Sequence, residues 1–250
     1  MRGLLDGGDV MTTVLKLRDI GFAYDSRKVV FERTHLEVKQ GERVALVGSN
    51  GSGKTTLLHM MMGLLYPSEG SVEVFGKTRE SEEDFHEVRL RTGLLFQDSD
   101  DQLFCPTVLE DVAFGPLNQG RSGRAALDTA RRTLADLGLA GYADRVTYRL
   151  SEGEKRLVAL ATVLAMEPEV LLLDEPTTGL DEEVIERIEV ILEALPVTML
   201  AVSHDRAFLE RITERSVALK NGGIVERAPE GGWAVNADRK AVFAHAPNAE

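Results

Sequence analysis

The residues Gly48-Ser-Asn-Gly-Ser-Gly-Lys-Thr55 lie between the apolar run Val44-Ala-Leu-Val47, typical of a buried strand, and a helix predicted over residues 54–65. They fit the pattern G-x-x-x-x-G-K-[ST], which is informative where a strand leads in and a helix leads out. Glycines let backbone N–H groups surround a phosphate, and the helix N-terminus adds positive potential. Lys54 would reach the β- and γ-phosphates, and the Thr55 hydroxyl would bind Mg²⁺. The stretch therefore predicts a nucleotide-binding loop.

Strand and helix patterns alternate on either side of this loop. Strands are predicted at residues 14–17, 29–38, 44–47, 170–173 and 197–202, and helices at 54–65, 124–139, 152–166 and 182–195. The helix over 182–195 carries its apolar residues on one face, and Pro196 ends it. Strands that alternate with helices indicate an α/β fold built on a mainly parallel sheet.

The composition excludes several classes of protein. The 250 residues (27.4 kDa) are 43% apolar and 28% charged, which fits one large globular domain and neither a disordered nor a collagen-like chain. A formal charge of −12 disfavours general nucleic-acid binding, and the single Cys105 favours a reducing compartment. Because no apolar stretch has bilayer or signal-peptide length, we expect a chain that is neither membrane-spanning nor exported.

Two acids follow the predicted strand at residues 170–173. Asp174, at the strand tip, would belong to the Mg²⁺ shell, and Glu175 can orient or deprotonate an attacking water. No Asn-Lys-x-Asp segment that would read guanine is present, so ATP is favoured over GTP. These residues predict hydrolysis of a bound nucleoside triphosphate.

The segment Leu150-Ser-Glu-Gly-Glu154, which we call the signature segment, resembles the LSGGQ signature of ABC ATPases. Four further motifs of that family follow the same order along the chain. They are Tyr24 as the adenine-stacking aromatic, Gln97 as the Q-loop, Gly179-Leu-Asp181 as the D-loop, and His204 as the switch histidine. The resemblance runs from about Val14 to Val225, nearly the whole chain.

The resemblance implies a set of site residues. Catalytic roles fall on Glu175, His204, Lys54 and Gln97, and magnesium binding falls on Thr55, Gln97 and Asp174. Nucleotide binding falls on Tyr24, Gly48, Ser49, Asn50, Gly51, Ser52, Gly53, Lys54, Thr55, Thr56, Ser151, Gly153 and Asp181. Simpler alternatives remain: Tyr24 could serve packing, Gln97 could cap a loop, and His204 could be structural.

The family's fold is a P-loop NTPase (RecA-like) core with a mainly parallel sheet, an N-terminal antiparallel β part and an inserted helical subdomain. The resemblance therefore implies an ATPase domain over residues 12–227. Its core would comprise 12–96 and 168–227, and its helical subdomain about 97–167. Residues 1–11 are predicted to be a loose extension, and 228–250 a weakly patterned tail.

Ser151 and Glu154 also satisfy the S-x-x-E pattern of a capping box that opens the next helix. In ABC ATPases this helix start binds a nucleotide held by the opposite subunit. The resemblance thus implies a head-to-tail dimer with two shared ATP sites, formed with a second copy or a paralogue. Glu152 and Glu154 replace the glycine and glutamine usual in the family, and acids repel an arriving triphosphate.

Residues 96–104 and 107–116 closely resemble ATPase subunits of cobalt, nickel and energy-coupling-factor vitamin importers. In that group the region receives a coupling helix from a membrane protein, for which Leu103, Phe104 and Val108 would be apolar anchors unless they pack in the chain's own core. The implied partners are a second ATPase, a multi-helix transmembrane coupling protein and a substrate-binding membrane component.

We therefore expect an ATP- and Mg²⁺-dependent motor at the cytoplasmic face of the membrane, held there peripherally and driving uptake of cobalt or nickel. A vitamin such as biotin is the alternative cargo. A soluble ABC ATPase that acts on DNA or ribosomes is disfavoured by the charge of −12 and the absence of a long heptad run.

Overall fold

A computed structural model describes residues 12–24 and 29–226; the predicted extension at 1–11 and tail at 228–250 lie outside these ranges. The strands are β1 (Thr13–Ala23), β2 (Val29–Lys39), β3 (Arg43–Gly48), β4 (Glu69–Val74), β5 (Lys77–Arg79), β6 (Thr92–Leu95), β7 (Val170–Asp174), β8 (Thr198–Val202), β9 (Arg215–Lys220) and β10 (Gly223–Glu226). The helices are α1 (Lys54–Met61), α2 (Glu82–Arg91), α3 (Val108–Asn118), α4 (Gly123–Asp136), α5 (Glu152–Leu164), α6 (Glu182–Ala194) and α7 (Arg206–Ile212).

The central sheet has six strands in the order β10-β9-β3-β8-β7-β6. Every neighbouring pair from β9 to β6 is parallel, and β10 alone joins antiparallel to β9. Side chains of β3 alternate between the two faces, with Val44 and Leu46 in one core cluster and Ala45 in the other. Both faces of the sheet are therefore covered, which explains why its strands are continuous apolar runs and confirms the predicted α/β fold.

A second, four-stranded sheet in the order β2-β1-β4-β5 is antiparallel throughout. Its buried residues, among them Leu15, Leu17 and Val72, share one core cluster with Leu57 of α1 and with Leu46 of the central sheet. This layer confirms the expected antiparallel part near the N-terminus.

Helices α3, α4 and α5 lie between β6 and β7 in sequence and share the second core cluster, on the other face of the central sheet. They fall within the stretch predicted as a helical subdomain, whose boundaries stay a prediction. Val108 is fully buried in this cluster, so its expected role as an external anchor is wrong. Leu103 is half-buried, whereas Phe104 is 64% exposed and its ring packs edge-on against Phe114.

Helix α1 ends at Met61, four residues before the end predicted for it. Gly63 adopts a left-handed φ of 68°, the Gly63 N–H donates to the Met60 carbonyl, and the Leu64 N–H donates to the His59 carbonyl. This is a Schellman C-cap. A Cβ on Gly63 would lie 2.1 Å from the Phe85 ring, so tertiary packing fixes the end of the helix here. The helices predicted at 124–139, 152–166 and 182–195 end within three residues of their predicted ends.

Candidate active site

The nucleotide loop (residues 48–56) joins the end of β3 to the start of α1, as the sequence predicts. The Lys54 ammonium donates to the carbonyl oxygens of Gly48 at 2.9 Å and of Ser49 at 3.2 Å. Gly53 has a φ of 105°, and a Cβ there would lie 2.6 Å from Val30 Cγ1, so only glycine fits. Because Gly53 offers no side-chain acceptor, the first N–H groups of α1 remain available to a phosphate.

Asp174 stands at the carboxyl end of β7, and it lines the same cavity as Thr55. The residue is 3% exposed, and burial raises its pKa, an effect that the Thr55 hydroxyl opposes. Its Oδ1 atom is buried and has no hydrogen-bond partner among the described residues. A carboxylate, a hydroxyl and an unsatisfied oxygen are donors of the type that Mg²⁺ prefers, so the residues present fit that cation.

Thr55, Gln97 and Asp174 line one open cavity of about 470 Å³. Gln97 is exposed at its rim, and Glu152 and Thr178 belong to the same lining. The structure thus brings together the three residues expected to bind magnesium, at the carboxyl ends of the parallel strands, where open α/β sheets bind ligands.

Glu175 follows Asp174 and has a left-handed φ of 46°. The residue is 6% exposed, and Oε2 accepts hydrogen bonds from the His204 backbone N–H at 3.1 Å and from the Thr178 hydroxyl at 3.2 Å. The His204 Nε2 atom lies 3.3 Å from Oε1. Two predicted catalytic residues from the ends of adjacent parallel strands therefore meet, and two donors orient the carboxylate.

Tyr24 lies beside Thr56, the last residue of the nucleotide loop. Its hydroxyl is 2.7 Å from Thr56 Oγ1, and its ring packs edge-on against Phe22 with the centroids 5.0 Å apart. The residue is nevertheless 60% exposed. The hydroxyl thus fixes the ring beside the loop while much of the residue stays accessible, an arrangement compatible with stacking on a base.

The signature segment forms the predicted capping box. The Ser151 hydroxyl accepts from the Glu154 N–H, and the Glu154 carboxylate accepts from the Ser151 N–H at 2.9 Å. A Cβ on Gly153 would lie 2.9 Å from Val184 Cγ2 of α6, which gives this glycine a packing role. Asp181 caps α6 by position and is exposed. Of the described residues that line the Thr55–Asp174 cavity, none is Ser151, Gly153 or Asp181.

Several polar contacts at the site are absent from the sequence prediction. Thr178 orients Glu175, and Arg156 of α5 donates to the carbonyl oxygens of Phe96 and Gln97. Arg156 lies two residues after the signature segment and directly before the apolar run that starts at Leu157, and a cation in that position was the available signal.

Known proteins resemble this chain over most of its length. A family model described as ABC transporter matches residues 31–178. An ABC transporter ATP-binding protein of Brucella suis biovar 1 is 50% identical over 215 residues, which are 86% of this chain and 89% of the relative. The energy-coupling factor transporter ATP-binding protein EcfA of Methanothermobacter thermautotrophicus is 39% identical over 216 residues, 85% of this chain and 70% of that protein.

Two solved structures share the fold closely. CbiO1 from Clostridium perfringens, part of the ABC transporter complex cbiONQ, superposes with a TM-score of 0.75 at 32% identity, covering 86% of this chain and 87% of that one. The ATP-binding cassette MJ0796, a dimer in a post-hydrolysis state bound to ADP and Pi, superposes with a TM-score of 0.77 at 28% identity. The match covers 85% of this chain and 98% of that one. Within the described parts of the chain, no helix has both the length and the apolar character to cross a membrane.

Proposed function

This chain belongs to the ABC transporter family and is an ATP-binding ATPase coupled to transport, and from that premise we propose that it is the motor of an energy-coupling-factor-type importer of transition-metal ions. The likenesses to EcfA and to cbiO1 support this branch. Residues 96–116 resemble the ATPases of metal and vitamin importers alike; we propose cobalt or nickel as the cargo on the overall resemblance, with a vitamin such as biotin as the alternative. Membrane subunits would contact the cargo.

The observation that carries the chemical assignment is the pairing of Glu175 with His204 next to the Thr55–Asp174 cavity. In the proposed reaction, Glu175 accepts a proton from water as the water oxygen attacks the γ-phosphorus of ATP, and the bond to the bridging oxygen breaks to leave ADP and phosphate. His204, 3.3 Å from Glu175, contacts the γ-phosphate, and Lys54 holds the β- and γ-phosphates.

Nucleotide binding also involves residues around this centre. Residues 48–56 supply N–H and hydroxyl donors to the phosphates, and Tyr24 stacks on adenine. Thr55, Gln97 and Asp174 would hold Mg²⁺, which adds positive charge beside the β- and γ-phosphates when it is bound. The unsatisfied Asp174 Oδ1 supports this assignment.

A second ATPase subunit completes each site in this proposal. Ser151 and Gly153, at the start of α5, contact the γ-phosphate of ATP held by the opposite subunit, and Asp181 lies in the same interface. Each chain has one nucleotide loop and one signature segment, so two chains are needed for two complete sites. ATP then draws the pair together, and hydrolysis removes the phosphate that bridges them.

The partner in the membrane docks at an apolar groove beside Phe104. Phe104, Phe114 and Leu64 are exposed and line this groove together with Met62 and Met166. An amphipathic coupling helix of a multi-helix membrane protein fits such a surface, since its apolar side chains would cover these residues. Closing and opening of the ATPase pair would move this helix. The chain would thereby sit peripherally at the cytoplasmic face of the membrane.

The Glu175→Gln variant tests the chemistry. The amide oxygen can still accept from the His204 N–H but cannot take a proton, so we expect ATP binding and ATP-dependent pairing to persist while phosphate release falls by about 10²-fold or more. Glu186→Gln, an exposed change on α6, is the matched control. Near-normal phosphate release by Glu175→Gln would contradict the assignment of the general base.

Co-purification tests the transport assignment. A tagged full-length chain expressed with its neighbouring genes should recover a multi-helix membrane protein, and Phe104→Asp should lose it while keeping ATP binding. Recovery of a metal-type membrane component would support cobalt or nickel as the cargo, whereas recovery of a vitamin-type component would contradict that assignment. Stable association with DNA or ribosomes in place of a membrane protein would contradict the importer.

A further inference from the structure

The Glu154 carboxylate in the signature segment is fully engaged within its own chain. Oε1 accepts hydrogen bonds from the Arg145 guanidinium at 2.8 Å and from the Tyr142 hydroxyl at 3.0 Å. Oε2 accepts from the Ser151 N–H at 2.9 Å. Arg145 and Tyr142 precede α5, in the segment that joins it to α4. Three donors therefore hold this carboxylate beside the helix start.

These contacts keep Glu154 ionised and give its charge a counter-ion. The Ser151 N–H, together with Tyr142 and Arg145, holds the pKa of Glu154 below its ordinary value. The Arg145 guanidinium lies 3.8 Å from the centroid of the Tyr142 ring, so a cation–π contact and an ion pair fix it together. Arg145 and Glu154 thus form a one-to-one neutral pair next to Ser151.

Glu152, the other acid of the signature segment, shares its ion-pair partner with another carboxylate among the described residues. Lys155 lies 3.1 Å from the Glu152 carboxylate, but it also lies 2.7 Å from the Asp100 carboxylate. One cation shared by two carboxylates leaves negative charge, and the Glu152 side chain is 70% exposed. The two acids therefore differ: Glu154 is neutralised in place, and Glu152 is only partly neutralised.

We propose that Arg145 is a positioning residue for ATP-driven pairing: by neutralising Glu154 it lets the helix start at Ser151 accept a triphosphate from the opposite subunit. The inference rests on the proposed function of the signature segment. Without Arg145, an uncompensated carboxylate would stay hydrogen-bonded to the N–H of Ser151, and it would repel the arriving phosphate. The Arg145–Glu154 pair thus takes the place of a neutral glutamine.

A charge-rescue experiment tests this role. All variants are built on Glu175→Gln, and the dimer dissociation constant is measured by sedimentation equilibrium with saturating Mg²⁺ and ATP. We expect Arg145→Ala to weaken pairing about tenfold or more, as loss of a charged hydrogen bond and exposure of a like charge imply. Adding Glu154→Gln should restore pairing to within about threefold, because the amide oxygen keeps the Ser151 contact without the charge. Raising the salt to 1 M should shrink the Arg145→Ala defect.

Matched variants separate charge compensation from a structural role. Arg149→Ala removes a nearby exposed arginine that lies on the Tyr148 ring, and it should leave pairing unchanged. Tyr142→Phe removes a neutral donor to the same carboxylate and should have a small effect. Melting temperature without nucleotide and ATP affinity of the monomer report on folding and on the nucleotide loop, and Arg145→Ala should change neither.

The outcomes distinguish this inference from the function on which it rests. If Glu175→Gln itself does not pair in ATP, the proposed role of the signature segment fails, and the inference fails with it. If Glu175→Gln pairs and Arg145→Ala pairs equally well, only the role of Arg145 is overturned. An Arg145→Ala defect that Glu154→Gln does not rescue also overturns it, since the arginine would then act other than through Glu154.

Discussion

The guanidinium of Arg156 donates to the carbonyl oxygen of Phe96 at 2.6 Å, and its other terminal nitrogen donates to the carbonyl oxygen of Gln97. Phe96 and Gln97 follow β6, whereas Arg156 belongs to the first turns of α5. Arg156 is 4% exposed, and burial lowers its pKa. One side chain thereby joins the loop that carries Gln97 to the helix that begins at the signature segment.

Replacing Arg156 by Met should destabilise the chain and misplace Gln97. The substitution keeps most of the buried stem but leaves two carbonyl oxygens without donors, which costs about 2–4 kcal/mol. For a chain of this size each kcal/mol corresponds to roughly 2–4 °C in melting temperature, so differential scanning calorimetry should detect a clear drop. The turnover number should fall more than the ATP affinity.

Arg206→Met is the control for that substitution. Arg206 forms an exposed i,i+4 ion pair with Glu210 on α7, a type of contact worth under about 1 kcal/mol. If the melting temperature of Arg156→Met equals those of Arg206→Met and wild type, the anchoring role of the guanidinium is contradicted.

Removing the exposed acid at the start of α5 should strengthen pairing. Glu152 lines the same cavity as Thr55 and Asp174, and its ion-pair partner Lys155 also pairs with Asp100. Glu152→Gly removes a negative charge that opposes an incoming phosphate by up to about 1 kcal/mol. We expect ATP-dependent dimerisation of the Glu175→Gln protein to tighten by up to about fivefold in light scattering at low salt.

Glu82→Gly makes the same change at the first residue of another helix, α2, and should leave pairing unchanged. If the Glu152→Gly protein and its parent dimerise with the same dependence on nucleotide, a repulsive role for that carboxylate is ruled out.

Cys105 should be a slow nucleophile at neutral pH. Burial, together with the neighbouring Asp111 carboxylate, raises the pKa of the thiol to about 11. At pH 8 only about one native thiol in a thousand is ionised, so alkylation by iodoacetamide should be about 100-fold slower than in the urea-unfolded chain. The logarithm of the native rate should rise with unit slope from pH 8 to 10, whereas the unfolded rate levels off above about pH 9.

Asp111→Asn removes the charge that opposes thiolate formation, so alkylation of the native variant should be faster than that of wild type. Native and unfolded chains that react at equal rates at pH 8 would show that the fold does not perturb this thiol.

The sequence patterns predicted the elements that are buried on both faces or are strongly amphipathic. Strands β3, β7 and β8 and helices α4, α5 and α6 were predicted because their apolar runs or stripes are unbroken. Strand β1 was predicted only at residues 14–17, since Arg18 and Asp19 interrupt the apolar pattern, yet pairing with two neighbours extends the strand to Ala23. Tertiary pairing here overrides local pattern.

The arrangement of the candidate site was predicted best where a single backbone motif defines it, and the roles of its residues stay predictions. The nucleotide loop and Asp174 follow from residues adjacent in sequence, so spacing alone identifies them. The contacts that join distant segments were not predictable in this way: Arg145 with Glu154, and Arg156 with Phe96, depend on how α5 packs against the preceding turns and β6. Likewise Val108 is apolar, as an anchor for a coupling helix would be, but the orientation of α3 buries it.

The Lys54 ammonium already rests on two oxygens of its own main chain, at Gly48 and Ser49. Immobilising a free lysine side chain costs about 2 kcal/mol of rotamer entropy. Here the side chain is already ordered in the folded protein, so most of that cost does not arise when the ligand binds. When a triphosphate binds, the Lys54 ammonium exchanges main-chain oxygen acceptors for phosphate oxygens, and no mobile side chain has to be ordered. The Lys54 side chain is in this sense preorganised before ATP binds. The association rate constant should therefore depend on diffusion and charge more than on rearrangement of the loop.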